Sequence, residues 1–436
     1  MIQLKQTRRS APLLAFLAAS ALWGCNSAQE SAQQEGQTAS TTFSPDADTV
    51  RTATDPSLVL PAPDTTHRAA KRSQTIGWPA DKAPVAPTGF KVERFATDLK
   101  HPRRIYIAPN KDVFVAETDD KEKSANQITL LRDSDNDGKP DTREVFLSGL
   151  NQPYGILVLG DYFYVAEVDK LVRYPYKAGQ TKMDAKAEQL ISLPAGGYNH
   201  HWTRNIIANP AGTKIYVSVG SASNVGEYGM DKEVRRANIL EINPDGTGER
   251  VYASGLRNPV GMDWAPGSNV LWTAVNERDE IGDELVPDYM TGVKEGAFYG
   301  WPYSYYGQHV DPRRQGERPE LVQKAIVPDV PLGAHTASLG LAFYQGSAFP
   351  AKYKNGAFIG QHGSWNRSNF AGYKVVFVPF QNGQPSGKPE DFLTGFIADA
   401  SKNEVYGRPV GIEVMPDGSM LVADDEGGII WRVTAN

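Results

Sequence analysis

The chain has 436 residues, which is enough for one large domain or several ordinary ones with a sizeable core. Its formal net charge of −6 argues against nucleic-acid binding, and its single cysteine excludes a disulfide framework, a cysteine-rich zinc site and a covalently attached c-type haem. The 41 glycines and 30 prolines, together with 19 tyrosines, 16 phenylalanines and 8 tryptophans, favour β structure over helical bundles.

The N-terminus has the layout of a secretory signal. Basic residues precede an apolar stretch over residues 11–22, and the only cysteine, Cys25, follows shortly after. This order predicts a bacterial lipoprotein signal peptide over residues 1–25, with Cys25 as the lipidated residue. Because Asn26 follows the cysteine, we expect a lipid anchor on the periplasmic side of the outer membrane, and we expect no membrane-spanning segment.

Residues 26–83 differ in composition from the rest of the chain. They are rich in Ser, Thr, Ala, Gln and Asp and contain almost no aromatic residues. Such a segment buries too little apolar area to offset the entropy that is lost on ordering. We therefore expect a disordered linker over residues 26–83, followed by a folded domain over residues 84–436.

From residue 84 onward one unit recurs along the chain. A copy has a loop of Leu-x-x-Pro-x-Gly character, a short apolar strand, a turn and a second strand, as in LNQPYG at residues 150–155 followed by ILVLGDYFYVAE. In the third copy, HHW at residues 200–202 replaces the proline element. The turns lie at Asn110, Gly160, Gly212, Gly267, Asn355 and Gly418. Repeats of roughly 50–60 residues with paired strands are typical of β-propellers. The sequence predicts an all-β fold, a six-bladed β-propeller, with an insertion over about residues 280–335.

In a propeller, the loop that leads into each innermost strand and the loop that leaves the second strand lie on one face, so their residues converge on the mouth of the central channel. The loops leading in supply Arg103, Gln152, His201, Arg257, His335 and Arg408. The loops leading out supply Glu117, Ser221, residues 276–283, residues 362–367, Asp424 and Asp425. Such a ring of histidine, arginine and carboxylate side chains indicates a site for an anionic ligand and a cation.

Residues 133–144 match a calcium-binding loop in their spacing. The pattern Asp-x-Asp-x-Asp-Gly-x5-Glu predicts oxygen ligands at Asp133, Asp135, Asp137, Asp141 and Glu144, and Gly138 allows a sharp turn. The flanks, ITLLR and VFLSG, are typical of strands, so we expect a structural calcium ion that clamps a hairpin. An acidic surface turn is the alternative.

Six short motifs follow one another in a fixed order along the domain. They are HHWTR at residues 200–204, GLRNP at 255–259, NERDEIGDEL at 276–285, YGWP at 299–302, GSWNRS at 363–368 and GRPVG at 407–411. This set resembles the pyrroloquinoline quinone (PQQ)-dependent soluble aldose dehydrogenases, and most closely their sorbosone dehydrogenase-like branch. The resemblance covers about residues 90–430 and implies a quinoprotein oxidoreductase that uses PQQ and Ca²⁺.

The resemblance also implies roles for individual residues. His201, or its neighbour His200, would act as general base, and Arg257 would stabilise the negative charge that develops on the quinone C5 oxygen. Contacts to the cofactor are expected from Asn258, Arg408, Arg367, Gln152 and His335. The catalytic calcium would be held by Glu277, Arg278 and Asp279, partly through main-chain carbonyls.

The implied reaction is the oxidation of an aldose or related sugar aldehyde, with hydride transfer to the quinone C5 and electrons passed to an external quinone or cytochrome. The residue chemistry agrees, because a guanidinium and Ca²⁺ polarise a quinone oxygen, an imidazole suits proton abstraction near neutral pH, and guanidinium forks match carboxylates. Two alternatives stay open: a calcium-dependent propeller lactonase or other hydrolase, and a non-enzymatic binding propeller anchored to the envelope. The abundance of arginine and histidine in the predicted ring favours the anionic cofactor.

Overall fold

Six four-stranded antiparallel sheets make up most of the computed structural model, which describes residues 48–66, 69–119 and 124–436. The predicted signal peptide, Cys25 and residues 26–47 lie outside the described residues. The strands that precede the first of these sheets are β1 (Asp48–Val50), β2 (Leu58–Leu60), β3 (Gln74–Thr75) and β4 (Phe90–Ala96).

Each of the first three sheets contains four consecutive strands. The first sheet consists of β5 (Pro102–Ile107), β6 (Val113–Glu117), β7 (Gln127–Arg132) and β8 (Thr142–Leu147). The second consists of β9 (Gly155–Leu159), β10 (Tyr162–Ala166), β11 (Lys170–Pro175) and β12 (Glu188–Ser192). The third consists of β13 (Ile206–Ala208), β14 (Ile215–Val219), β15 (Asn238–Ile242) and β16 (Arg250–Ser254), with a 3-10 helix at Met230–Glu233.

The fourth and fifth sheets contain insertions before their outermost strands. The fourth segment runs through β17 (Pro259–Trp264), β18 (Leu271–Val275), β19 (Pro287–Gly292), the inserted β20 (Ser304–Tyr305), β21 (His309–Val310) and α1 (Pro319–Val322), and the outer strand β22 (Val330–Ala334). The fifth runs through β23 (Ser338–Phe343), a 3-10 helix at Ala351–Tyr353, β24 (Ala357–Gln361), β25 (Lys374–Val378), the inserted β26 (Phe380–Gln381) and β27 (Gln384–Pro385), and β28 (Glu390–Leu393). The insertion predicted near residues 280–335 therefore lies within the fourth sheet. Within the described ranges, no helix is long and apolar enough to cross a membrane.

The sixth sheet joins the two ends of the domain. Its strands are β31 (Pro409–Val414), β32 (Met420–Asp424), β33 (Ile429–Ala435) and β4, and β33 pairs antiparallel with β4. Two short strands, β29 (Ile397–Asp399) and β30 (Glu404–Val405), pair with each other, and β30 also pairs in parallel with β3. Because the sheet takes its outermost strand from the N-terminal side, hydrogen bonds close the ring.

The innermost strands of successive sheets contact one another in a ring that runs β5, β9, β13, β17, β23, β31 and back to β5. The glycine of the repeated motif permits this approach. A Cβ atom at four of these glycines would lie only 2.0–2.7 Å from a main-chain atom of the next inner strand or of the loop that leads into it; they are Gly155, Gly261, Gly340 and Gly411. The expectation of an all-β propeller fold is thereby confirmed. The glycine recurs in the motif because a side chain there would clash with the neighbouring inner strand.

The core lies between the sheets, so the second strand of each sheet is covered on both faces. Every residue of β6, β14, β18, β24 and β32 is buried. Between the fifth and sixth sheets, aromatic rings pack against one another, as in Phe358 and Phe392, whose centroids lie 4.6 Å apart. This packing holds the sheets as a rigid frame for the loops at their ends.

The expectation of a disordered linker through residue 83 is wrong for residues 48–66 and 69–83. Val50 and Leu60 are buried in a cluster with Leu285 and Val286 of the fourth segment. Further on, the Trp78 indole Nε1 donates a hydrogen bond to Asp424 Oδ2 at 2.6 Å. The average composition of this stretch is polar, but a few widely spaced apolar side chains are enough to fix it to the propeller.

Candidate functional site

Loops at one end of the ring bring charged side chains from different sheets into contact. Arg103 Nη1 lies 3.0 Å from Asp425 Oδ2, and His362 Nε2 lies 2.9 Å from Asp425 Oδ1. The Arg103 guanidinium also lies over the ring of Trp202, 5.1 Å from its centroid. Residues of the first, third, fifth and sixth sheets thus meet here, at the end of the ring that we call the mouth.

His201 is buried at the mouth, with 5% of its surface exposed. Its Nδ1 lies 3.0 Å from Ser221 O and 2.9 Å from Ser221 Oγ, and the Ser221 hydroxyl donates to Ser223 O at 2.7 Å. Because both neighbours of Nδ1 act as acceptors, the hydrogen-bond pattern assigns the ring proton to Nδ1 and a lone pair to Nε2. Burial and the positive charge of Arg257 hold the pKa of His201 well below its usual value. His201 is therefore a neutral imidazole, and no residue in the described part of the chain bonds to its Nε2.

His200 lies beside His201 but is exposed. The two imidazole rings meet edge to face, with centroids 4.7 Å apart. His200 Nδ1 lies 3.3 Å from the Tyr198 hydroxyl, and the two rings are nearly parallel at 6.0 Å. Of the two histidines, His201 is the one whose tautomer is fixed by a main-chain carbonyl.

Arg257 is fully enclosed, with 1% of its surface exposed. Its Nε donates to Asn224 O at 3.1 Å, and its Nη1 donates to Asn276 O at 3.2 Å and to Glu277 O at 2.6 Å. Its Nη2 donates to Asn224 Oδ1 at 3.0 Å and to Asp279 Oδ2 at 3.2 Å. A guanidinium has five N–H groups, so the protein satisfies all of them and fixes this cation in place.

His335 and Asp279 extend the contacts of Arg257. His335 Nδ1 lies 3.0 Å from Asp279 Oδ1, and His335 Nε2 lies 2.9 Å from Gly282 O. Both partners are acceptors, so both ring nitrogens carry protons and His335 is a cation. Burial lowers the pKa of His335, but the hydrogen bond to Asp279 and the charge of that carboxylate raise it above its usual value overall. We call Asn224, Arg257, Asp279 and His335 the closed cluster.

The three residues predicted to hold a catalytic calcium point in different directions. Glu277 is buried, its Oε2 accepts a bond from Arg278 N at 3.0 Å, and burial raises its pKa to about 7. Arg278 pairs with Asp311, with Nε 2.6 Å from Oδ2. The Glu277 carbonyl accepts from Arg257, and the Asp279 carbonyl accepts from Arg278 Nη1 at 2.6 Å. The structure therefore gives these residues protein partners and does not gather their oxygens into one cage.

Arg408 lies on the sixth-sheet side of the mouth. Its Nε donates to His362 O at 2.8 Å, its Nη2 donates to Gly363 O at 2.7 Å, and its guanidinium lies over the Tyr373 ring at 5.4 Å. Within the described residues its Nη1 has no protein partner. The adjacent Asp425 is an anion, because the hydrogen bond from His362 and the charge of Arg103 hold its pKa far below the usual range in spite of burial. Arg408 thus keeps donor capacity for a ligand.

Two other predicted cofactor contacts, Arg367 and Gln152, bond to protein groups. Arg367 Nη1 donates to Asp283 O at 2.7 Å, and its guanidinium pairs with Glu284. It lines a cavity of about 740 Å³ beside β2, and the structure does not bring it to Arg408. Gln152 is half-buried, and its Nε2 donates to Asp119 O at 3.1 Å, which links the second sheet to the first.

Asn258, the neighbour of Arg257, is buried but only partly satisfied. Its side-chain Oδ1 has no hydrogen-bond partner. A Cβ atom at Gly220 would lie 2.4 Å from this oxygen and 2.5 Å from His201 Cβ, so the glycine allows Asn258 and His201 to lie close together. A buried amide oxygen without a partner is an acceptor that a ligand can satisfy.

The predicted calcium loop joins β7 to β8, so its flanks are strands as expected. Asp133, Asp135 and Asp141 each offer a carboxylate oxygen, and these three oxygens lie within 4.8 Å of one another. Asp137 instead accepts a bond from Lys139 N at 2.8 Å, and Glu144 lies in β8 outside this group. The structure brings together three of the five predicted ligands.

The motifs do not include two residues that contact the predicted site residues. Asp288 lies in β19, where its carboxylate accepts from Glu277 N and from Ser338 N, each at 2.8 Å. Asn224 contacts Arg257 from a loop of another sheet. Asp288 could have been predicted, because an aspartate within an apolar strand sequence needs a buried polar partner. Asn224 could not, because it stands in an ordinary polar loop.

Solved structures of other proteins share this fold. The holo form of the pyranose dehydrogenase PQQ domain from Coprinopsis cinerea superposes with a TM-score of 0.69 at 20% identity, covering 83% of this chain and 100% of that chain. A calcium structure of a Trichoderma reesei Carbohydrate-Active Enzymes Family AA12 protein gives 0.69 at 19%, covering 85% and 100%. The chain has the β-propeller fold of these proteins, and the neighbours confirm the resemblance to PQQ-dependent sugar dehydrogenases that the motifs indicated.

Sequence comparison then identifies the family. Residues 81–431 match the family described as a domain of unknown function, DUF7133, and the chain belongs to that family. An uncharacterized protein of Borreliella burgdorferi is 32% identical over 364 residues, which cover 80% of this chain and 89% of that protein. The pyrroloquinoline quinone-dependent pyranose dehydrogenase of Coprinopsis cinerea is 30% identical over 292 residues, 54% of this chain and 39% of that protein.

Proposed function

We propose that this chain is an oxidoreductase that uses PQQ to oxidise an aldose or related sugar aldehyde, on a propeller whose six sheets are six blades. The observation that carries the proposal is the neutral His201, whose Nε2 is open at the mouth beside the fixed cation of Arg257. The similar proteins named for PQQ and for sugar oxidation support it.

The side chains of the mouth fit a planar, anionic cofactor. Arg408 keeps a donor, Arg103 has a buried Nε without a partner, and Asn258 has a buried Oδ1 without a partner. Arginine forks suit the carboxylates of PQQ, and the amide suits a polar ring atom. When bound, PQQ supplies the hydride acceptor that no side chain provides.

His201 would do the proton chemistry at Nε2. Its low pKa keeps it neutral at pH 7, so Nε2 is ready to accept the proton of a sugar hydroxyl. The Nδ1–H group stays bonded to Ser221 O and so keeps the ring in orientation during transfer. Because the pKa is low, the proton leaves again readily to water at the mouth.

Arg257 would act mainly through its fixed charge. All five of its N–H groups bond to protein acceptors, so direct contact with a ligand oxygen requires the release of one of them. The contacts to Asn276 O and Asp279 Oδ2, both 3.2 Å, are the longest. The residues at 277–279 do not fit a calcium cage, and we derive no step through an ion there.

Calcium binding is proposed instead at Asp133, Asp135 and Asp141. Their clustered carboxylates repel one another without a cation, and hard oxygen ligands suit Ca²⁺. The loop lies between the two outer strands of the first sheet, so the ion would stabilise the fold.

The remaining expectations concern the surroundings of the enzyme. We propose that Cys25 carries the lipid anchor on the periplasmic side of the outer membrane, and that electrons leave to an external quinone or cytochrome. Incorporation of a labelled fatty acid should disappear in Cys25→Ala.

The decisive experiment is an absorbance titration of the full-length chain with PQQ and Ca²⁺, followed by dye reduction with a panel of aldoses. We expect saturable binding, and we expect His201→Gln to lower turnover by about 10²–10⁴-fold, the range for a lost general base. His309→Gln, in the insertion of the fourth sheet, is the matched control and should keep full turnover. No PQQ binding at micromolar concentrations would overturn the proposal, and lactone hydrolysis would be assayed next.

The same preparation tests the calcium loop. At a Ca²⁺ concentration about 100-fold above Kd, binding stabilises the folded state by about 2.7 kcal/mol, so EDTA should lower Tm. The double substitution Asp135→Asn with Asp141→Asn should abolish this shift, whereas Glu144→Gln, outside the cluster, should keep it. A Tm of the parent that does not respond to EDTA would contradict calcium binding.

A further inference from the structure

Four arginines are buried in the described ranges, and they differ in their partners. Arg257 and Arg278 each form an ion pair with an aspartate, with a guanidinium nitrogen 3.2 Å and 2.6 Å from the carboxylate oxygen. Arg204 and Arg236 are 0% and 7% exposed, yet within the described residues neither forms an ion pair with a carboxylate. Buried charges are normally paired, because a cation without a partner carries a large desolvation cost. We call Arg204 and Arg236 the arginine pair.

Arg204 ends the HHWTR motif and is held by main-chain oxygens under the candidate base. Its Nη1 donates to His201 O and to Thr203 O, each at 2.8 Å, and its Nη2 donates to Pro194 O at 2.8 Å. Its Nε is buried without a hydrogen-bond partner. The carbonyl oxygens fix the side chain, but they bring no negative charge to balance it.

Arg236 has even fewer acceptors. Among the described residues its guanidinium makes one hydrogen bond, from Nη1 to Asn199 Oδ1 at 2.6 Å, and its Nε is buried without a partner. The same amide oxygen lies 3.5 Å from Arg204 Nη2. Because both nitrogens contact one oxygen at these distances, they lie at most about 6 Å apart. A single small ion can span such a separation and contact both guanidinium groups.

The carboxylate nearest to the arginine pair already has partners of its own. Glu233 accepts bonds from Ala222 N at 2.7 Å and from Ser223 N and Oγ at 3.1 Å and 2.6 Å. Its charge offsets part of the effect of burial, which lowers the pKa of Arg236. Burial, and after it the charge of Arg236, lower the pKa of Arg204 to about 9. Two cations therefore face one carboxylate, which leaves one positive charge unbalanced.

The arginine pair lies next to an exposed stretch of chain. Residues 195–198 are exposed, and Asn199, whose amide both arginines share, is half-buried. The glycines at 196 and 197 have no atom within 4 Å of the place where a Cβ would stand. A small ion can therefore approach from solvent through this loop without opening a sheet.

We propose that Arg204 and Arg236 bind one small monovalent anion, such as chloride or acetate. The anion accepts hydrogen bonds from N–H groups that the protein leaves unsatisfied, and it balances the remaining positive charge. Because Arg204 also bonds to His201 O, a bound anion would stabilise the loop that carries the candidate base. The inference does not rest on the proposed function, since neither arginine was predicted to contact PQQ.

The first test measures Tm of the full-length chain without PQQ while sodium chloride replaces sodium gluconate at constant ionic strength. Gluconate serves as an anion that is too large for the site. Tm should rise saturably, by about 3 °C when the chloride concentration is 100-fold above Kd, and Arg236→Gln should abolish this rise. Arg235→Gln is the matched control, because the neighbouring Arg235 is half-buried and pairs with Glu249 at 2.7 Å, so the chloride response should remain.

Sodium bromide and sodium acetate in place of chloride then distinguish a halide from a small carboxylate, and a specific response to either class supports the site. Arg236→Lys keeps the charge and should retain a weaker response. Equal Tm values in all four salts would mean that water satisfies the arginine pair, and the proposal would be wrong. An equal chloride response in the parent and in Arg236→Gln would indicate a general salt effect and would also overturn it.

A second test detects the ion directly. The chloride-35 NMR signal should broaden in the presence of the parent chain and much less in the presence of Arg236→Gln. If saturation with PQQ removes the broadening, the arginine pair holds a carboxylate of the cofactor and the proposal is overturned. If PQQ does not bind at all but the Arg236-dependent broadening is present, the proposed function fails and the anion site remains.

Discussion

The two sides of the mouth differ in how many of their polar groups the protein itself satisfies. On the side of the fourth sheet, Arg257 uses all five N–H groups within the chain, and His335 uses both ring nitrogens. Around Gly220, which follows β14 of the third sheet, His201 and Asn258 each keep an acceptor without a described protein partner. Tyr198 and Tyr228, also in loops of the third sheet, face solvent. We call these last four residues the open cluster.

The number of satisfied polar groups distinguishes residues that support the fold from residues that are available to a ligand. Arg257 and Asn258 are neighbours in the chain and both are buried, yet one is fully bonded and the other has an orphaned oxygen. A cation whose N–H groups are all bonded holds its position, and together with burial its charge lowers the pKa of His201. Unsatisfied groups next to it carry a desolvation cost that a bound ligand removes. Substitutions on the two sides should therefore affect different quantities.

The largest loss of stability is expected for Arg257→Met. The substitution leaves the carboxylate of Asp279 and several carbonyls without their buried cation, and breaking a buried pair in this way costs about 3–5 kcal/mol. The measurement is the free energy of unfolding from urea titration. Arg143→Met is the matched control. Among the described residues that exposed arginine bonds only to Thr97 O and Asp98 O, so its loss should cost about 1 kcal/mol or less. Similar costs for the two variants would show that the closed cluster is not a scaffold.

A smaller effect is expected from the titration of His335. Its folded pKa is raised above the unfolded value, so its contribution is fully present below the unfolded pKa of about 6.5 and is lost as the pH rises through the folded pKa. The free energy of unfolding should therefore fall with pH above about 6.5, by at most about 1.4 kcal/mol per pH unit from this group.

The difference between parent and His335→Gln isolates this contribution from other titrating groups that face it, Asp279 and Asp288. The difference should shrink toward high pH and be constant below pH 6 or so. His309→Gln, in β21, should retain the slope of the parent. A difference curve for His335→Gln that does not depend on pH would mean that this histidine is not the cation of the closed cluster.

The propeller was predictable because its signal repeats. The glycine of the repeated loop recurs at four of the six contacts between inner strands, and a Cβ atom at Gly340 would lie 2.0 Å from Val410 O. The same loops also carry Arg257 and Arg408, so the candidate site could be located by its position in the repeat. His201 was found in the copy where HHW replaces the proline element.

The state of each site residue was not predictable, since its partners come from other sheets. Nothing next to Arg257 in the sequence shows that Asn224 and Asp279 consume its N–H groups, and nothing next to Arg278 shows that Asp311 draws it away. The prediction of disorder before residue 84 was wrong for a related reason. Composition averages over a window, whereas Trp78 is fixed by residues far away in the chain: its indole bonds to Asp424, 346 residues away, and its ring packs on Phe396 and Trp431.

The smallest change in stability is expected for Asn258→Leu, on the open side. The Oδ1 of Asn258 is buried without a partner, so removing it ends a desolvation cost, and leucine has a similar size. The free energy of unfolding should stay within about 1 kcal/mol of the parent or rise, while the affinity for PQQ in the absorbance titration should fall. Unchanged stability together with weaker PQQ binding would show that Asn258, unlike Arg257, is dispensable for folding but needed for binding. A loss of stability as large as that of Arg257→Met would show instead that the protein satisfies both neighbours, and the contrast between the two sides would disappear.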